Sequence, residues 1–185
     1  LARLNLDAVD IVYLHDSDYA GQHPESDFAG ALPALIDLRQ QGAVRAIGMG
    51  MNEWRMTSQM VRQFDLDLIL LAGRYTLLDQ QALEEFLPLC VERGVRIAIG
   101  GPYNSGILAR DLSRPVSFDY QRASEQLVER ARALRLVCDR HEVDLKAAAL
   151  QFVLAHPAVA TVVPGPQSVV ELEENVRMVQ EEISA

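Results

Sequence analysis

Cysteine is scarce in this chain, and its scarcity excludes two classes of protein. The two cysteines among 185 residues, Cys90 and Cys138, both lie within helical apolar patterns. Two separate cysteines provide neither a disulfide framework nor a metal-ligand spacing. We therefore expect no bound metal, and we expect two buried free thiols, which are typical of a protein in the reducing cytoplasm.

Positive charge and long apolar runs are also lacking. The chain has 17 Lys and Arg residues against 26 Asp and Glu residues, a net charge of −9. The acidic residues are spread along predicted helices, so no basic patch is available for nucleic acid or an anionic membrane. No apolar run has the length of a membrane span, and no signal peptide precedes the first predicted strand. The expected partner is a small molecule, not nucleic acid or a membrane.

The chain alternates between strand-like and helix-like patterns. Nearly continuous apolar runs predict five strands covered on both faces; they are residues 9–14, 44–49, 66–71, 95–99 and 159–163. Amphipathic stretches between them predict helices, two of which end at Gly42 and Gly94. Strict alternation predicts an α/β fold with a parallel sheet, in one domain over residues 1–185. Five such units are too few to close an eight-stranded barrel.

The first polar residue at a strand end is a histidine. The run at residues 9–14 is followed directly by His15 and Asp16. An imidazole there can donate a hydrogen bond to a carbonyl oxygen and stabilise developing negative charge. The alternative is a structural histidine that is hydrogen-bonded to a loop.

The second strand end combines glycines with an amide. Gly48 and Gly50 would let a flat ligand approach the backbone, and Asn52 offers the donor and acceptor that a carboxamide needs. Asn52 is also well suited to be the N-cap of the following helix. Both roles are compatible.

The last strand is followed by an anion-binding pattern. Gly165 lies in the loop, and Ser168 with Glu171 forms a capping-box pattern at the start of the last helix. A helix N-terminus after the final strand of a barrel is the usual phosphate site, because its free N–H groups and its dipole favour an anion.

Together these strand ends resemble the aldo-keto reductase superfamily. The resemblance covers essentially the whole chain in the family's order: YLHD at 13–16, VRAIG at 44–48, YTLLD at 75–79, PG at 164–165 and LEEN at 172–175. Two further segments, LAGRYTLLDQ at 71–80 and GGPYNSGIL at 100–108, are similar to its sugar dehydrogenase branch. That branch includes L-fucose and D-threo-aldose 1-dehydrogenases, and pyridoxal 4-dehydrogenase belongs to it too. The resemblance implies the C-terminal five βα units, strands 4 to 8, of a TIM (β/α)8 barrel, with the N-terminal strands absent from this chain.

The resemblance also implies roles for single residues. Of the family's catalytic Asp, Tyr, Lys and His, only the His maps here, onto His15; the other three are expected upstream of Leu1. The only lysine, Lys146, lies in a late helix and does not match the catalytic one. Glu174 and Asn175 match the pair that binds adenine in the family.

The sequence departs from the family pattern at three positions. Ala72 stands where a Gln commonly contacts the nicotinamide, and Gly100 stands where an aromatic residue commonly stacks on its ring. Glu171 lies where NADP-preferring members tend to carry an Arg. Because a carboxylate would repel a 2′-phosphate, the resemblance implies NAD rather than NADP.

Three functions remain open at this point. The first is transfer of a hydride from C1 of an aldose to NAD, and the second is oxidation or reduction of another aldehyde such as pyridoxal. The third is a non-catalytic nucleotide-binding relative, of the kind used as channel β-subunits. We expect specificity to lie in the loops at residues 17–26 and 110–123. No feature of the sequence predicts an oligomeric state.

Overall fold

A computed structural model describes residues 2–16 and 24–183 of the chain. Its main element is a five-stranded sheet in the order β1-β2-β3-β4-β7. All four neighbouring pairs are parallel. The strands are β1 Val9–His15, β2 Val44–Met51, β3 Leu68–Ala72, β4 Arg96–Gly100 and β7 Val159–Val163.

In the part of the chain that the structure describes, six α-helices connect or follow these strands. They are α1 Pro24–Gln40, α2 Trp54–Gln63, α3 Phe86–Arg93, α4 Glu125–Arg140, α5 Leu145–Leu154 and α6 Val169–Gln180. A short antiparallel hairpin, β5 Ser117–Phe118 with β6 Gln121–Arg122, lies between β4 and α4. The alternation of strand and helix with parallel pairing confirms the predicted α/β fold.

Burial of the strands follows their position in the sheet. β2 and β4 are almost entirely buried, with Ile47, Met49 and Ile97 at 0% exposure, whereas three of the five residues of the edge strand β7 are exposed. Gly48 allows β2 and β3 to lie close together, because a Cβ there would lie 1.8 Å from the Leu68 carbonyl oxygen. The central strands are therefore covered on both faces, as their apolar sequences predict.

Helix ends agree with the sequence at three of four positions, the first being Gly42, which follows the end of α1 with φ 76°. Gly94 ends α3 in the left-handed conformation with φ 69°, and the Ser168 Oγ caps α6 by accepting from the Glu171 N–H. The prediction that Asn52 caps α2 is wrong. Glu53 is the cap, and its carboxylate accepts from the backbone N–H groups of Arg55 and Met56. A longer carboxylate one residue later reaches the free N–H groups that Asn52 was expected to satisfy.

Two hydrophobic clusters join the sheet and the helices. One joins the sheet to α1, α2 and α3; the other joins α4 and α5 to the segment after β4. Val162 packs against both clusters. Cys90 is buried as predicted, but Cys138 is only half-buried, because it lies on α4, where Ala131 is the one fully buried residue.

The sheet is open at both edges. Within the described residues, β1 and β7 each pair with one neighbour, and the edge residues Ile11 and Val163 are 45% and 51% exposed. Helix α6 also exposes apolar side chains, among them Val170 and Val176. The described residues therefore form an open sheet that does not close on itself. None of the helices in residues 2–16 and 24–183 has the length and apolar character to cross a membrane.

Candidate active site

A groove of about 990 Å³ lies at the carboxyl ends of the five parallel strands. Each strand contributes its end or the residue next to it; these lining residues are His15, Gly50, Met51, Ala72, Gly100 and Val163. In α/β barrels this is the end that carries the active site, while the strand bodies pack the core. The groove is therefore the candidate active site, and we call it the strand-end groove.

His15 lies at one end of the strand-end groove. Its Nδ1 is 3.1 Å from Asp16 Oδ1, and both side chains are more than half exposed. The Asp16 N–H donates to the Gly50 carbonyl oxygen at 2.9 Å, which fixes the turn that follows β1. Gly50 leaves the space that the imidazole occupies, since a Cβ at that position would lie 2.5 Å from His15 Cδ2.

The groove floor between β3 and β4 is made of small residues. Ala72 and Gly100 are paired in register across the two strands. A Cβ at Gly100 would lie 3.3 Å from Ala72 Cβ, so even a methyl group there would be crowded. Asn52, which follows β2, lines the same groove. Positions 72 and 100 of the floor thus carry neither an aromatic nor an amide side chain, and the amide of Asn52 belongs to the lining of the same groove.

The opposite wall is formed by α6 and the loop before it. Gly165 in that loop has φ 70°, a left-handed conformation that glycine adopts without strain. Glu171 Oε2 accepts from the Gln167 N–H at 2.7 Å, and the Glu171 N–H donates to Ser168 Oγ at 3.2 Å. Glu171 lines the groove while it makes this cap; among the described lining residues, Ser168 is not included.

One turn further along α6, two residues have specific partners. Glu174 Oε1 forms an ion pair with Lys146 Nζ at 2.6 Å. The Tyr103 hydroxyl donates to Asn175 Oδ1 at 2.7 Å. All four residues line the groove. Burial raises the pKa of the Tyr103 phenol, and the charges of Glu174 and Asp144 raise it further, so this hydroxyl stays protonated.

The segment after β4 supplies lining residues that the sequence did not indicate. Asn104 Oδ1 accepts from Thr76 Oγ1 at 2.5 Å, and its Nδ2 donates to the Gly73 carbonyl oxygen at 3.2 Å. These bonds tie the segment to the end of β3. Asn104 and Ser105 both have positive φ. The composition of the segment gives no sign of its role in the groove, and the only signal in the sequence is its resemblance to a family motif.

The β5–β6 hairpin lies at the mouth of the groove. Arg74 holds it through Asp119 at 2.8 Å, and the Tyr120 N–H donates to Ser105 Oγ at 3.2 Å. Tyr120 is 83% exposed and lines the groove. The predicted specificity loop at 110–123 therefore borders the groove, whereas most of the loop predicted at 17–26 lies outside the described residues.

Six of the seven residues predicted for the site thus line one groove. They are His15, Asn52, Gly165, Glu171, Glu174 and Asn175; Ser168 caps the adjoining helix instead. Among residues 2–16 and 24–183, no group of three His, Cys, Asp or Glu side chains is arranged to hold a metal ion.

Sequence comparisons agree with this geometry. Residues 1–185 match the family model for the aldo/keto reductase family. The chain is 38% identical over 181 residues to pyridoxal 4-dehydrogenase of Microbacterium luteolum, covering 94% of this chain and 53% of that protein. It is 39% identical over 185 residues to D-threo-aldose 1-dehydrogenase of a Pseudomonas species, covering 99% of this chain and 55% of that protein. The chain therefore spans about half the length of these curated relatives.

Solved structures give the same result. The apo form of the aldo-keto reductase AKR11C1 from Bacillus halodurans superposes with a TM-score of 0.80 at 27% identity. The superposition covers 100% of this chain and 61% of that chain, so the five-stranded sheet corresponds to part of the family's barrel. The match over the whole chain confirms the predicted resemblance: this chain belongs to the aldo/keto reductase family.

Proposed function

We propose that the full-length protein carrying this chain is an oxidoreductase that oxidises C1 of an aldose, with NAD as the hydride acceptor. The observation that carries the proposal is the strand-end groove, which is lined by His15 at the end of the edge strand β1 and by Glu171, Glu174 and Asn175 on α6, the helix that follows the other edge strand. A reactive group at one end and polar groups at the other suit a long ligand. Its volume of about 990 Å³ lies at the upper end of the usual range for small-molecule sites.

The residues present fit a dinucleotide. Gly100 and Gly101 leave the floor without side chains, so a flat ring can approach the backbone of β4. The N-terminal turn of α6 offers its dipole to the phosphate side, and Asn52 is an amide that lines the same groove. Glu174 and Asn175 provide an acceptor and an amide for the adenine side. A bound nicotinamide cofactor would supply the hydride chemistry.

His15 would act on the reacting oxygen. Asp16 beside Nδ1 orients the ring, which leaves Nε2 for a hydrogen bond to the substrate oxygen at C1. In oxidation, the hydride leaves C1 and the hydroxyl proton passes to a base, so a hemiacetal becomes a lactone. The family resemblance assigns that base to a Tyr, assisted by Asp and Lys, in the part of the family's barrel that this chain does not cover. On this account the 185-residue chain alone has no turnover.

Glu171 supports NAD over NADP. Its carboxylate lines the groove at the first turn of α6, while one oxygen accepts from the Gln167 N–H. A 2′-phosphate placed beside it would meet a like charge, and such contacts cost about 1–2 kcal/mol in a partly solvated site. The cap and the cofactor preference are therefore compatible roles of one side chain.

Pyridoxal is the second candidate substrate. The relatives named for pyridoxal and for an aldose are 38% and 39% identical to this chain, so identity does not separate them. We favour an aldose because the groove mouth carries hydrogen-bonding side chains such as Asp119, which suit a polyhydroxylated substrate.

Both cysteines are free, which supports a reducing cytoplasm as the site of action.

Steady-state kinetics of the full-length protein test this proposal. We expect reduction of NAD with one or more aldoses, including L-fucose, at a higher kcat/KM than with pyridoxal. Turnover of pyridoxal alone would select the second candidate. Tight binding of NAD without turnover of either class would instead favour a non-catalytic nucleotide-binding protein.

A further inference from the structure

A buried hydrogen bond joins Tyr103 and Asn175, two residues that line the strand-end groove. Tyr103 lies just after β4 and Asn175 lies in α6, and the two are 8% exposed each. The phenolic O–H donates to Asn175 Oδ1 at 2.7 Å. A bond between residues 72 positions apart in the chain ties the segment after β4 to the last helix.

This bond determines which groups of Asn175 are offered to a ligand. An asparagine amide has one oxygen that accepts and one nitrogen with two N–H donors. Because the Tyr103 O–H donates to Oδ1, the amide is held with Oδ1 toward the phenol and with Nδ2, which carries both N–H donors, on the side away from that bond. Without the phenol, the amide could rotate by half a turn and exchange its two groups.

The phenol itself is held in place. The next residue, Asn104, is bonded to Thr76 Oγ1 and to the Gly73 carbonyl oxygen. The Tyr103 ring packs in the second hydrophobic cluster, with Ile107 and Leu108. A buried, protonated phenol on an anchored segment is a fixed donor, so it can fix the orientation of the amide that accepts from it.

The neighbouring Glu174 is fixed in a comparable way. Lys146 Nζ lies 2.6 Å from Glu174 Oε1, and the two side chains are 21% and 35% exposed. The wall thus places a carboxylate acceptor next to an amide donor. A purine edge such as that of adenine carries an amino donor beside ring-nitrogen acceptors, which is the complementary arrangement.

We propose that Tyr103 is a positioning residue for cofactor affinity, which acts by holding the Asn175 amide with its donors available to the adenine base. This inference rests on the proposed function, because it takes the ligand of the groove to be a nicotinamide adenine dinucleotide. Tyr103 makes no contact with the reacting atoms in this account. Its effect is expected in binding of the adenine half and not in the chemical step.

Binding measurements on the full-length protein test the proposal. Tyr103→Phe keeps the ring and removes the hydroxyl, and losing one neutral hydrogen bond typically weakens binding about three- to tenfold. We expect this loss in the dissociation constant of NAD measured by calorimetry. Nicotinamide mononucleotide, which lacks the adenosine half, should bind unchanged, and kcat at saturating NAD should be unchanged.

Tyr75→Phe is the matched control. Tyr75 is similarly buried at 4% exposure, and its ring packs against Phe152 and His156 outside the groove. Both substitutions remove the phenolic oxygen of a buried tyrosine. If general destabilisation lowered the affinity for NAD, the loss would therefore appear in Tyr75→Phe as well as in Tyr103→Phe. Only Tyr103→Phe should change the affinity for NAD.

A double-mutant cycle tests whether Tyr103 acts through Asn175. In an Asn175→Ala background, Tyr103→Phe should cause no additional loss of NAD affinity. Unchanged NAD affinity in Tyr103→Phe, equal losses for NAD and the mononucleotide, or additive losses in the cycle would each overturn the inference. Failure of the unaltered protein to bind NAD would instead reject the proposed function on which it rests.

Discussion

His15 and position 50 compete for the same space at the end of the first two strands. His15 pairs with Gly50 across β1 and β2. A Cβ at position 50 would lie 2.5 Å from His15 Cδ2, closer than real Cβ contacts allow, and 3.2 Å from Nε2, which is a tight contact. The orientation of the candidate catalytic imidazole therefore depends on the absence of a side chain on the neighbouring strand.

This relationship predicts the effect of Gly50→Ala. The added methyl should displace the imidazole, and small misplacements of a reacting group can lower rates by about a hundredfold. We expect kcat of the full-length enzyme to fall by on the order of tenfold or more with little change in NAD affinity. Gly30→Ala is the control, since a Cβ there meets no described atom within 4 Å. An active Gly50→Ala enzyme would show that the ring position is not critical.

His15→Ala tests the imidazole itself. Losing a hydrogen bond to the reacting oxygen should lower kcat by on the order of a hundredfold, with a smaller effect on the dissociation constant of NAD. His141→Ala, at the exposed C-terminal end of α4, should have no such effect. If His15→Ala changed only the thermal midpoint, His15 would be a structural residue of the turn.

Glu171→Arg tests the cofactor preference. The wild type should bind NAD about five- to thirtyfold more tightly than NADP, and the guanidinium should improve NADP binding because it can fork onto phosphate oxygens. The variant should also lose the bond to the Gln167 N–H. Glu173→Arg makes the same change of charge at an exposed position of α6 outside the lining of the groove. An equal gain for NADP in both variants would attribute the effect to net charge.

His156 predicts a pH dependence of stability. Its Nδ1 accepts from the Ala158 N–H at 3.2 Å, and its ring packs edge-on against Tyr75. Burial lowers the pKa of His156 below its ordinary value of 6.5. Below pH 6.5 the unfolded chain therefore binds a proton more readily than the folded one, and the free energy of unfolding falls as pH falls through the folded pKa.

Replacing His156 by Asn should remove the contribution of this side chain to the pH dependence of the free energy of unfolding. Asparagine keeps an acceptor near the Nδ1 position and does not titrate. Urea unfolding of the full-length protein at several pH values should show a smaller loss of stability below pH 6.5 than in the wild type. His141→Asn, at an exposed position, is the control. Identical pH profiles for wild type and His156→Asn would contradict the prediction.

The sequence predicted the strands better than their ends. The run at 159–163 matches β7, and the other four strands differ from their predicted bounds by one or two residues at an end. Apolar continuity marks the buried part of a strand, whereas its last residues are paired through hydrogen bonds that composition does not show. Gly50 and Met51 belong to β2 for this reason, because they pair with Leu70 and Leu71 of β3.

The parts of the site that the sequence missed depend on tertiary contacts. The β5–β6 hairpin has no strand pattern and is held by Arg74 and Ser105 from other segments. Tyr103 has no signal in the sequence that would link it to Asn175. Local patterns located residues at strand and helix ends, since those positions follow from the fold class. Contacts between residues that are distant in the chain leave no local pattern, so they could not be predicted in this way.

Isotope labelling of the transferred hydride is the most direct test of the proposed oxidation of an aldose at C1 by NAD. The full-length enzyme would be incubated with NAD and an aldose deuterated at C1, and the reduced cofactor would be analysed by mass spectrometry. We predict that the deuterium is transferred to the reduced cofactor and that the sugar is recovered as its lactone. Reduced cofactor without deuterium, or recovery of the deuterated aldose unchanged under conditions in which NAD is bound, would contradict the account.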